Sequence, residues 1–165
     1  MRPVPEYDAK SWLIKALRET AHAMESLIWN VDEDALDAVV DGDEWSCKHL
    51  IAHMSEMERR YIDRLERIVR LDDPRIDAFD ADSLDPRPRF DREIIFDLMD
   101  EFSVQRQQSV YLLWSLDSGD WSRRGIHPYL GPLTVTQIAR EMNEHDLSHL
   151  WQLRRICDQF EAASV

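Results

Sequence analysis

The stretch TVTQIAREMNEHDLSHLWQLRRICDQF, residues 134–160, sets the reading of the whole chain. It opens on Thr134-Val135-Thr136-Gln137, a capping box in which the Thr hydroxyl and the Gln side chain each accept from the other's backbone N–H. Ile138, Met142, Leu150, Leu153, Ile156 and Phe160 then recur at helical spacing, which predicts a helix from about Val135 to Ala162. Within it, His145 and His149 stand four apart, one turn above each other on one face. Two imidazoles so placed can chelate one metal ion. At roughly 100° per residue, His149 falls within about 40° of the centre of the apolar stripe and His145 about 80° off it. Asp146 falls almost at the centre, an expensive place for a carboxylate unless it is paired, hydrogen-bonded or near a metal.

Three further segments carry the same periodicity, and no strand is evident. They run from about Asp8 to Val31, Ser46 to Leu71 and Asp91 to Leu116. Leu13, Leu17, Met24 and Ile28 mark the first stripe, Leu50, Met57, Tyr61 and Leu65 the second, and Leu98, Phe102, Tyr111 and Leu113 the third. Asp41-Gly42-Asp43 marks a turn between the first two helices. The connection from Asp72 to Arg89 is long, acidic and holds Pro74, Pro86 and Pro88, so it is able to cross the bundle rather than join antiparallel neighbours. The expectation is an all-α protein: one domain over residues 1–165, a four-helix bundle with a long connection between helices 2 and 3.

Composition narrows the function. A net charge of -13 is a poor match for a phosphate backbone, which speaks against a nucleic-acid partner. No run approaches the ~18 apolar residues of a membrane span. The first residues lack the apolar stretch of a signal peptide, and two cysteines make no disulfide framework, so a cytoplasmic protein with a small-molecule substrate is expected. Cys47 and Cys157 have no nearby His or Cys partner in sequence.

Among the six histidines, His53 sits on the flank of the second stripe, near Leu50 and Met57. His49-x-x-x-His53 is a rival chelating pair, although His49 turns further toward water. His22 lies opposite the first stripe and reads as a solvated surface residue. A third imidazole joining His145 and His149 would make a three-His set with positions left open for water or substrate, as in catalytic zinc sites. Glu56, three residues beyond His53, and Asp146 are candidates to orient a ligand imidazole or move a proton. The loop from Gly119 to Pro132 gathers Arg123, Arg124, His127 and Tyr129 ahead of the ligand helix. This suggests contacts to an anionic substrate or cofactor.

Two motifs together resemble the DinB/YfiT-like superfamily of four-helix bundles. Trp45-Ser46-x-Lys48-x-Leu50-x-x-His53 is similar to the family's second-helix start, and Gly131-x-Leu133-Thr134 leading to His145-Asp146-x-x-His149-Leu150-x-Gln152-Leu153 to its fourth-helix motif. The resemblance implies a divalent metal, nickel or zinc, on His53, His145 and His149, and favours His53 over His49. It also implies a long crossover between helices 2 and 3, homodimers, and a thiol-dependent transferase or isomerase using a low-molecular-weight thiol as cofactor. A three-His cation that lowers the pKa of bound water or thiol makes a metal-dependent transferase or hydrolase the expected function. A non-catalytic metal-binding or scaffold bundle is the alternative.

Overall fold

The computed structural model describes residues 6–40, 42, 45–79 and 94–163. Four long helices form the bundle: α1 (Glu6–Trp29), α3 (Cys47–Arg70), α4 (Ile95–Ser115) and α5 (Val135–Ala163). A single turn, α2 (Glu33–Leu36), lies between the first two, and a short 3-10 turn (Asp120–Ser122) precedes a hairpin of β1 (Arg124–His127) and β2 (Gly131–Thr134). No described helix is long and apolar enough to cross a membrane.

The starts of α3 and α5 are fixed by side chains. Ser46 Oγ accepts from His49 N at 3.1 Å. The expected capping box is formed: Thr134 N donates to Gln137 Oε1 at 2.8 Å and Gln137 N to Thr134 Oγ1 at 3.2 Å. Of the expected turn at Asp41-Gly42-Asp43 only Gly42 is described, with φ +84°. The third helix begins at Ile95, and Asp91 lies outside the described residues, as does much of the long connection.

Chain direction follows from which residues meet. Ser55 bonds Gln105 and Glu58 bonds Arg106 and Ser109, so α3 and α4 run parallel. Tyr61 bonds Glu141 while His53 meets His145, so α3 and α5 run antiparallel. One core cluster joins the C-terminal half of α1 to the N-terminal halves of α3 and α4 and the C-terminal half of α5. The order is therefore up-down-down-up, with α1 packed on α4 and α5, and α3 on the same two. Parallel neighbours cannot be joined by a tight turn, because the chain must return along the helix length, about 36 Å for 24 residues of α3. That is the physical reason for a long connection after α3.

One guanidinium ties all four helices together. Arg106 of α4 bonds Glu58 of α3 at 2.9 and 2.7 Å, Asp146 of α5 at 2.6 and 3.0 Å, and the Leu17 carbonyl of α1 at 2.8 Å. Ser109 adds a short hydrogen bond to Glu58. Cys47 and Cys157, far apart in sequence, meet in the core, and a hydrogen bond from Cys47 holds the Cys157 thiol below its ordinary value.

The hairpin corrects the sequence reading, which saw no strand. Its strands have four residues each, too short and too rich in Gly and Pro to show alternation. It exists because it packs on the end of α3. Ile126 also exchanges backbone bonds with Pro74 and Ile76, at 2.7 and 3.1 Å. A Cβ on Gly125 would stand 2.6 Å from Ile76 Cγ2 and 2.9 Å from Ile68 Cγ1, so this approach needs glycine. Tyr111, read as part of the third stripe, is exposed, as are Trp12, Trp29, Trp114 and Trp151 at the bundle edges.

Candidate metal centre

His53 lies on the second turn of α3, where the Ser46 cap fixes the helix phase, and His145 and His149 lie mid-way along α5. The antiparallel α3/α5 contact turns the three toward one point. One ring nitrogen from each lies within 4.8 Å of the others. His53 Nε2 and His145 Nε2 are 3.1 Å apart. Two imidazole nitrogens bound to one ion at about 2.1 Å would stand about 3.0 Å apart at a right angle and about 3.4 Å apart at the tetrahedral angle. The observed spacing falls between these values.

The electrostatics suit ligation. Burial, followed by the charge of His149, lowers His53 to about 3. Burial and the same neighbour lower His145 to about 3. Both rings are therefore neutral near pH 7, the state in which imidazole binds a cation. His53 Nδ1 is buried and has no hydrogen-bond partner. The His149 Nδ1–H donates to Gln152 Oε1 at 3.0 Å, which fixes its tautomer and leaves the unprotonated Nε2 as the nitrogen able to ligate a metal.

Aromatic rings wall the site. Trp45 stacks on His149, with centroids 5.7 Å apart, and on His49 at 4.4 Å, and tilts against His53 at 4.8 Å. His49 is thus turned to Trp45 and stands outside the three-His set. Tyr61 lies edge-on to His145 at 6.2 Å, and its hydroxyl donates to Glu141 at 3.0 Å. Burial and Glu141 push the Tyr61 hydroxyl above its usual range, so it keeps its proton. The donor set, three imidazoles with one outer acceptor, fits a borderline divalent ion.

The other expected site residues go elsewhere. Both oxygens of Asp146 are held by Arg106, so its inward position is explained by an ion pair and not by a ligand imidazole. Burial lifts the Asp146 carboxyl to about 6 against the pull of Arg106. Glu56 is engaged by Arg59 and Arg60. Arg123 covers the end of α3, donating to the carbonyls of Ile68 at 3.0 Å and Leu71 at 2.7 Å. Ile68 is fifteen residues beyond His53, about 22 Å along the axis, so the hairpin carries these cations away from the histidines. Arg124 pairs with Asp73 at 3.0 Å, and His127 Nδ1 accepts from Tyr129 N and Leu130 N within its own turn.

Sequence reasoning missed Arg106 and the walls made by Trp45 and Tyr61. A signal for the first existed. Leu98, Phe102, Arg106, Ser109 and Leu113 follow one another at steps of four, four, three and four, which puts a cation on the apolar stripe opposite an inward Asp.

The DinB superfamily model matches residues 16–153. The chain belongs to the DinB superfamily. Among solved structures it is similar to YfiT from Bacillus subtilis, described as a probable metal-dependent hydrolase with an unusual four-helix bundle topology. The TM-score is 0.81 at 15% identity, over 96% of this chain and 91% of that one. At that identity the likeness shows the fold. No curated protein matches the chain.

Proposed function

We propose that this DinB-superfamily protein is a divalent-metal-dependent enzyme, a hydrolase or thiol-dependent transferase, with His53, His145 and His149 as the metal ligands. The observation that carries the reading is the three imidazoles converging from α3 and α5, two of them held neutral by burial. The description of the YfiT fold relative as a probable metal-dependent hydrolase favours hydrolysis over group transfer. A divalent ion held by three imidazoles keeps coordination positions open and supplies a Lewis acid that lowers the pKa of water or a thiol toward neutrality.

The chain's own residues do the rest. Gln152 orients His149 through its Nδ1–H. Trp45 covers His53 and His149, and Tyr61 covers His145, so bulk water is kept from the ligands on those sides. Tyr61 keeps its proton bonded to Glu141, which leaves its ring as a fixed wall.

The test is metal content by mass spectrometry on protein purified without an affinity tag, beside a His145→Ala/His149→Ala variant. About one divalent ion per chain is expected, lost in the variant. Saturating metal at a hundred times Kd should stabilise the fold by about 2.7 kcal/mol. Turnover of activated esters with and without added thiol separates the two reaction classes. No metal uptake, even after incubation with zinc or nickel, would overturn the reading. Metal bound without turnover of any electrophile would leave a binding module.

A further inference from the structure

In a chain of charge -13, one face of α3 collects cations. Arg60, Arg64 and Arg67 follow His53 at seven, eleven and fourteen residues, which places them within about 40° of it around the helix. With Glu56, Asp77 and Phe79 they line a groove of about 350 Å³ between α3 and the segment that follows it.

The guanidinium donors there are under-used. The buried Arg106 makes five bonds of 2.6–3.0 Å and has nothing left to offer. The ion pairs of Arg60, Arg64 and Arg67 with carboxylates are looser: Arg60 to Glu56 at 3.6 Å, Arg64 to Glu141 at 3.9 Å and Arg67 to Asp77 at 3.7 Å. All exceed the ~2.7–2.9 Å of a charge-assisted hydrogen bond. Arg60 Nε is buried with no acceptor, while the tip of its side chain reaches solvent. Arg64 is held in place, stacked 4.1 Å from the Phe79 centroid and bonded to the Asp77 carbonyl at 2.8 Å. An arginine stacked on a ring beside one short of acceptors matches the fork geometry of a carboxylate.

The groove lies beside the histidines. Tyr61 stands between the two, its ring 5.8 Å from Phe79 and 6.2 Å from His145. Arg60 is seven residues from His53, about 10 Å of axial rise, and helical side chains lean toward the N-terminus, here toward His53.

We propose that this groove binds the carboxylate of an elongated organic anion, with Arg60 and Arg64 as donors, while the other end of the molecule, about 10 Å away, reaches His53, His145 and His149. The second half of this statement rests on the metal-enzyme reading; the carboxylate site does not.

Titration calorimetry with three probes tests it: octanoate, 8-mercaptooctanoate and 8-mercapto-1-octanol, each on metal-free and zinc-loaded protein. Metal-free protein should bind octanoate, and Arg60→Gln should weaken it about tenfold, the loss of one charge-assisted bond. Arg70→Gln, the same charge change at an exposed position paired with Glu66, should not. An unchanged melting temperature for Arg60→Gln shows that the groove is intact. On zinc-loaded protein 8-mercaptooctanoate should bind at least tenfold tighter than the alcohol, and Arg60→Gln should close that gap. Octanoate binding that is absent, or equal in wild type and Arg60→Gln, overturns the proposal. Arg60-dependent octanoate binding with no gain from the thiol and zinc together upholds the carboxylate site and overturns the reach of the bound molecule to His53, His145 and His149.

Discussion

Replacing Arg106 with Met should be the most damaging single change outside the histidines. Glu58, Arg106 and Asp146 are 2%, 2% and 1% exposed, so water cannot take over when the cation is lost. The variant forfeits four bonds to carboxylates and one to the Leu17 carbonyl, and leaves two carboxylates facing each other in the core. Breaking a buried ion pair from one side costs about 3–5 kcal/mol. For 165 residues, where 1 kcal/mol moves Tm by about 2–4 °C, a drop of about 6–20 °C follows. The pH dependence is the sharper sign of the cause. Burial already lifts Asp146 to about 6, and without the cation it rises further. An acid with a raised folded pKa binds its proton more tightly folded than unfolded. Its penalty is absent below the unfolded pKa and grows as pH rises through the folded one. The deficit against wild type should therefore shrink as pH falls from 7 toward 4. Urea unfolding followed by circular dichroism across that range measures it. The triple variant Glu58→Gln/Arg106→Met/Asp146→Asn should recover part of the loss. A loss under about 1 kcal/mol at pH 7 would refute the argument, as would a deficit that does not change with pH.

Three further outcomes follow from the same geometry. In metal-free protein, His53 and His145 hold pKa values of about 3 against 6.5 in the open chain, so the unfolded chain gains two protons as pH falls through 6.5. Asp146 offsets one of these below about 6, leaving a net loss of about 1.4 kcal/mol per pH unit between 6 and 4, read from unfolding midpoints. Gln152→Leu should weaken metal binding about 10–100-fold in a chelator competition, because the His149 Nδ1–H loses its acceptor. Gly125→Ala should cost about 1–3 kcal/mol in urea unfolding, because the new methyl meets Ile76 and Ile68 inside van der Waals contact.

The sequence by itself determined the four long helices, the Thr134/Gln137 cap, and the pairing of His145 with His149 on one face. These depend on spacing within a single helix, where 3.6 residues per turn fixes which side chains align. It also placed Asp146 inward and left it needing a partner. The tertiary structure decided everything that passes between elements. It supplied Arg106 from α4 as that partner, and brought His53 to His145 through the antiparallel contact of α3 and α5. It laid Trp45 and Tyr61 against the rings, and took Arg123, Arg124 and His127 to the far end of α3. Loop cations close to the ligand helix in sequence end up far from the histidines because the capped start of α5 is more than two turns from His145. Periodicity records which face of a helix is buried, whereas the neighbour it is buried against depends on chain direction and crossover, which no single helix encodes.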